Sequence, residues 1–245
     1  LKHWENDSLY QHSLSNSVTQ TDLKAHQDSR GFIAIGYGLD LLHNNVQEIA
    51  GYFVSANIQF LGHTGVGLSQ ADLNLITDYQ ADPLNVNKVT ALLQGFPALP
   101  SEHDATALLN VRAAAAENQL DQILGFHMAE SNERAALASL AYNNAGALLG
   151  PKLVAAIQGD HRVEAWYQIR YGSNGGQSES QGIANRRYAE SDLFGLYKGP
   201  DQNNATPDQD EAMSIIRMYT ARHDQIRAYE TKFSPLTTIG GVVQS

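Results

Sequence analysis

Two carboxylates, Glu5 and Asp40, are the residues whose type and placing could do chemistry in this chain. Cleaving a glycosidic bond needs one carboxyl group to protonate the leaving oxygen and a second to activate water or attack the sugar. The acid is served by partial burial, its partner by a polar setting that keeps it ionised. Trp4 stands beside Glu5 as an apolar body able to shield one side of it. Asp40 comes just after Gly36, Tyr37 and Gly38, where two glycines can break a strand by taking backbone angles closed to other residues. A carboxylate past such a break can be held at a fixed angle over a cleft. Asp28 is the rival for the second role. It lies in the polar turn 28–31, where aspartate commonly caps its own backbone, so Asp40 is preferred. Asp40 has a plainer role open to it as well, capping a following helix through Leu41 and Leu42.

These side chains need elements to hold them. Residues 32–35 read as a short strand, and most of the rest reads as helix. Ser69 with Asp72, and Ser101 with Asp104, fit the pattern of a helix-starting capping box. After the second, Ala107, Leu108, Val111, Ala114 and Ala115 recur at helical spacing, and Leu120 and Leu124 carry the face onward. Residues 131–142 form a core helix that Asn143, Asn144 and Gly146 should stop. Gly150 and Pro151 start the next, ending at Gly159 and Asp160. Helices are also expected over 162–171, 183–197 and 208–230, with a flexible loop at 172–178, a linker at 198–207 and a loose tail from Pro235.

Composition narrows the function. Sixteen basic and twenty-six acidic residues give a net charge of −10, a field that repels nucleic acid and anionic membranes. No apolar run approaches the roughly 18 residues of a membrane span. The chain has no cysteine, which removes disulfides, cysteine-ligated zinc and thiol catalysis together. Its nine histidines show no His-x-x-x-His spacing, so a zinc site is not expected. The acidic segment 201–211 lacks the sixth-place glycine of a calcium loop, where Thr206 stands.

Four stretches in order carry a family likeness. They are Glu5 near the start; Gly31-Phe-Ile-Ala-Ile-Gly-Tyr-Gly-Leu-Asp-Leu41; the segment 135–146 with Ala-Tyr-Asn-Asn-Ala-Gly; and Gly182-Ile-Ala-Asn-Arg-Arg-Tyr-Ala-Glu-Ser-Asp-Leu-Phe194. Together they resemble the phage-type lysozymes, and within them the pesticin-like muramidase branch, over residues 1–197. The departures are Ala34, where the family strand has a threonine that helps position water, and Asn6, where a glycine is common after the glutamate.

The resemblance implies a predominantly helical α+β fold of two lobes. Residues 1–45 would bear the acid and the strand, 46–197 the helical body, and 208–245 an added helix and tail, with the cleft between strand region and body. It implies a peptidoglycan muramidase with Glu5 as general acid and Asp40 as its partner. The alternatives are a lytic transglycosylase or a non-catalytic wall-binding module. Tyr37 would stack on sugar, Asn143 would touch it, and Arg187 would meet the anionic peptide stem. Arg186 and Glu190, four apart, read as an ordinary helix ion pair. No metal or organic cofactor is implied. The expected setting is a monomeric domain cut from a larger secreted or injected protein, acting on glycan strands in a target periplasm, with an immunity protein in the producer and neither nucleic acid nor membrane as partner.

Overall fold

The computed structural model describes residues 2–28, 31–174, 181–198 and 208–233, with backbone alone at residues 3 and 4. Most of the expected loop at 172–178, nearly all of the linker and the whole tail fall outside these residues. The chain divides into two units, Leu1–Ala115 and Ala116–Ser245, the division falling inside one long helix.

In the first unit, α1 (Lys2–Glu5) is a single helical turn, and α2 (Asp7–Leu14) follows at once. Between them Asn6 is extended, and its side chain accepts the Leu9 amide at 3.0 Å as the cap of α2. A small antiparallel sheet comes next, ordered β1 (His26–Gln27), β2 (Ile33–Ile35), β3 (Leu39–Asp40). The expected strand thus starts one residue late. Its register sets His26 opposite Ala34, and Ala34 opposite Asp40. Ile33, Ile35 and Leu39 are buried and hold the sheet to the core.

Three helices follow the sheet along the chain: α3 (Val46–Ser55), α4 (Gln70–Ala81) and α5 (Val86–Gly95). The Ser69–Asp72 capping box forms as read, each side chain bonding the other residue's amide. Tyr79 of α4 reaches the sheet, its hydroxyl accepting the Ile33 amide at 3.1 Å. Neither α3 nor α5 stood out in the sequence; in α5 only Leu92 is buried and Val86 is exposed, so no apolar stripe announces it. Ser101, its hydroxyl accepting the Asp104 amide at 3.2 Å, caps the start of α6 (Glu102–Leu124), the helix through which the unit boundary passes.

The second unit is helical. Ser131 caps α7 (Asn132–Leu148), whose geometry breaks at Asn144 (φ −171°, ψ 90°). The Asn-Asn-Ala-Gly segment therefore interrupts the helix instead of ending it, and Asn144 Oδ1 restarts the turn by accepting the Ala147 amide at 3.1 Å. Pro151 begins α8 (Pro151–Gln158) in the first turn, where its missing N–H costs nothing. The helix read over 162–171 is α9 (Arg162–Tyr167) running into a π-helical turn, Gln168–Gly172. Next come α10 (Gln181–Phe194) and α11 (Gln209–Phe233).

The last helix packs over this unit through aromatic and charged contacts. Arg222 lies 3.8 Å from the Tyr167 ring centroid and 2.7 Å from Glu164, and Glu230 accepts the Tyr171 hydroxyl at 2.8 Å. Arg170 is stacked near Tyr188 at 4.3 Å and Trp166 at 5.2 Å. Such stacking keeps a guanidinium in contact with apolar surface without stranding its charge. Among the described residues no helix is long and apolar enough to cross a membrane.

Candidate active site

Glu5 ends α1 and sits on the glycine turn between β2 and β3. A Cβ added to Gly38 would lie 2.8 Å from Glu5 Oε2 and 3.3 Å from Glu5 Cβ, and Gly38 has φ +76°. Glycine is required there twice over, for its backbone angle and for the room it leaves the acid. Gly36, at φ +57°, is pinned likewise, since a Cβ would meet Leu99 Cδ1 at 2.9 Å. Two side chains hold the turn's carbonyls: Asn6 Nδ2 donates to Gly36 O and Arg112 Nη1 to Gly38 O, each at 3.0 Å. Asn6, the departure beside Glu5, thus caps α2 with one atom and clamps the turn with the other.

Both candidate second carboxylates belong to the sheet region, Asp40 in β3 and Asp28 just past β1. Directly opposed residues in an antiparallel ladder share a face, so His26, Ala34 and Asp40 form one row. Asp28 lies one residue past the end of β1. It closes the β1–β2 hairpin, its amide bonding Phe32 O at 2.7 Å and its Oδ1 accepting the Phe32 amide at 2.9 Å. Burial, and after it the charges of Asp40 and Asp28, push the Tyr79 phenol up; both carboxylates are within electrostatic reach of one hydroxyl.

The Asp40 carboxylate is committed to its own turn. Oδ1 accepts the amides of Leu42 at 2.7 Å and His43 at 3.1 Å, and Oδ2 pairs with His43 Nδ1 at 2.7 Å. The capped segment is the turn 41–44 and no helix: α3 starts at Val46 with Asn45 as its own cap.

The structure places the three substrate-contact candidates differently, Tyr37 and Arg187 in the interior and Asn143 at the surface. Tyr37 is only 2% exposed, so its ring has no open face for a sugar; its hydroxyl donates to Glu102 Oε1 at 2.8 Å. Arg187 is fully buried, donating to Ser173 O, Glu190 Oε2 and Asn143 Oδ1, and cannot meet a peptide stem. Asn143 is exposed, its carbonyl oxygen fixed by Arg187 at 2.7 Å. Arg186 and Glu190 are likewise not a solvated helix pair. Glu190 is buried and receives Arg186, Arg187 and the Ser139 hydroxyl at once. The Trp4 side chain lies outside the described residues.

Sequence reading passed over Glu102. Its Oε1 takes Lys2 Nζ at 2.8 Å, the Tyr37 hydroxyl at 2.8 Å and the Thr106 hydroxyl at 2.7 Å. Burial works to raise this carboxyl, but those three hydrogen bonds and the Lys2 charge prevail and bring it down to about 2.

The family model for phage lysozymes matches residues 17–190, well over half of the chain. The chain belongs to the phage lysozyme family. A comparison with curated proteins gave no match. The family match takes in Asp28, Ala34, Asp40, Asn143 and Arg187, whereas Glu5 precedes it. A mostly helical α+β architecture with a small sheet near the start accords with this lysozyme membership. Membership points to a peptidoglycan hydrolase of the glycosidase type. Among the described residues no three or more His, Asp or Glu side chains come together as metal ligands.

Proposed function

We propose that this phage lysozyme family member is a muramidase, cleaving the β-1,4 bond between N-acetylmuramic acid and N-acetylglucosamine. The observation that carries the reading is Glu5 seated against Gly38, in the glycine turn that joins β2 to β3, the strand bearing Asp40. Glu5 is the general acid, delivering a proton to the leaving glycosidic oxygen. Asp40 and Asp28 are the two candidates for the second carboxylate, and each holds a turn of its own: Asp40 caps 41–44 and Asp28 accepts the Phe32 amide. Ala34 offers no hydroxyl, so the carboxylate and nearby backbone groups must orient the water.

The biological setting belongs to the same proposal. A net charge of −10 opposes landing on an anionic cell surface. Delivery directly into a periplasm suits it, as a domain of a pesticin-like bacteriocin or an injected effector. A producer would then need an immunity protein, and a basic one would be steered to this acidic surface.

The test is digestion of purified peptidoglycan by the wild type and by Glu5→Gln, with products identified by mass spectrometry. Reducing-end muropeptides that vanish in the variant support a muramidase. Anhydro-sugar products would replace the reading with a transglycosylase, and no products would leave a binding module. Strong lysis of intact cells by protein added from outside would remove the reason for periplasmic delivery.

A further inference from the structure

We infer that Glu102 is a positioning residue for Glu5, joining the helical turn that bears the acid to the glycine turn on which the acid rests. The inference builds on the assignment of Glu5 as general acid. Its starting point is that α1 has only four residues. A single turn gains one intrahelical bond for several fixed dihedrals and cannot hold its own place. Here that bond is the Asn6 amide to Lys2 O at 3.1 Å. Ties from the side chains must therefore decide where Glu5 stands.

Lys2 and Glu5 are three residues apart, so they are neighbours on one helix face. The Lys2 ammonium is anchored on Glu102 Oε1 at 2.8 Å and lies 5.0 Å from the Tyr37 ring centroid. The same oxygen takes the Tyr37 hydroxyl, and Tyr37 stands between Gly36 and Gly38, the glycine whose missing Cβ leaves room for Glu5. One carboxylate oxygen thus fixes both the helix carrying the acid and the turn beneath it. Glu102 is itself well fixed: it opens α6, where the helix dipole favours a negative charge, and Thr106 one turn later supplies the third donor. Hydrogen bonds from a lysine, a phenol and a hydroxyl keep it ionised, so the node persists at any pH where the enzyme would work.

Glu102 does not touch the reacting atoms, so its loss should displace the acid without emptying the sugar site. The experiment measures kcat, KM and thermal midpoint on soluble peptidoglycan fragments for Glu102→Gln, Lys2→Met, Lys2→Arg, the Glu102→Gln/Lys2→Met double variant and Glu5→Gln. Misplacing a reacting group by about 1 Å can cost on the order of a hundredfold, so Glu102→Gln and Lys2→Met should each lower kcat about tenfold or more, with KM within about twofold. Because both cut the same link, the double variant should be little worse than the poorer single one. Lys2→Arg, which keeps the cation, should recover most of kcat. Unchanged kcat in both single variants, a loss confined to KM, or a loss that only follows the unfolded fraction would overturn the inference. If Glu102→Gln does not fold, the two Lys2 variants decide by the same criteria. Full activity in Glu5→Gln would sink the acid assignment and this inference together. An inactive Glu5→Gln beside normal kcat in Glu102→Gln and Lys2→Met would sink this inference alone.

Discussion

Glu5 fills the space where any residue but glycine at position 38 would carry a Cβ, an atom that would lie 2.8 Å from the acid's Oε2. Gly38→Ala should therefore act on stability and turnover together. A left-handed backbone angle costs a non-glycine residue about 1–2 kcal/mol before any clash is counted. The displaced carboxylate should lower kcat more than KM. Urea unfolding and turnover measured on the same preparation check both; a stable, fully active alanine variant would mean that the acid does not depend on this contact.

The two aspartates can be separated by paired substitutions. Asp28→Asn and Asp40→Asn should both fold, because the amide oxygen still accepts the backbone amides that each carboxylate holds, and asparagine caps about as well as aspartate. The variant of the second carboxylate should lose muropeptide release by on the order of a hundredfold or more at an unchanged thermal midpoint, and the other should keep turnover within about twofold. Two fully active variants would remove both aspartates from the chemistry.

Glu190 is a buried carboxylate between two arginines, and its loss should be among the most damaging single changes in the second unit. Glu190→Gln strands Arg187, which is fully buried. Breaking such a pair by removing one partner costs about 3–5 kcal/mol. Chemical denaturation should show that drop, and a change under about 1 kcal/mol would mean that water reaches the cluster.

Acid should weaken the protein in a window that Glu102 defines. Its carboxyl is lowered from 4.5 to about 2 in the folded chain, so the folded state binds its proton less readily than the unfolded state does. The stabilisation is complete above 4.5 and is lost as pH falls through about 2. Hydrogen bonding to Arg134 and then His127 lowers Asp121 in the same sense. Urea midpoints followed from roughly pH 5 to pH 2 should converge for wild type and Glu102→Gln. Parallel curves across that range would refute the assignment.

What could be read in advance was local. Ser69, Asp72, Ser101 and Asp104 mark helix starts through bonds made three residues apart, Pro151 marks one through its fixed backbone angle, and each helix begins there. Gly36 and Gly38 announced a broken strand because their backbone demands are their own. The role of Glu102 was not legible, because the lysine and tyrosine it joins lie 100 and 65 residues away. Arg186 and Glu190 have the spacing of a surface pair whether or not another helix covers them, so sequence could not distinguish a few tenths of a kcal/mol from several. Asp40 hid a similar ambiguity, since His43 three residues on completes a cap that any Asp near a turn might have lacked.

The arginine–tyrosine stack under α11 has an optical consequence. The chain holds two tryptophans, Trp4 in the first unit and Trp166 in the second. Trp166 lies 5.9 Å from Tyr171 and 6.4 Å from Tyr219 of α11, with Arg170 over its ring. Emission from Trp166 in a Trp4→Phe background is thus a reporter of whether α11 is docked. The converse variant, Trp166→Phe, leaves a fluorophore one residue from Glu5, so each unit can be watched through its own light.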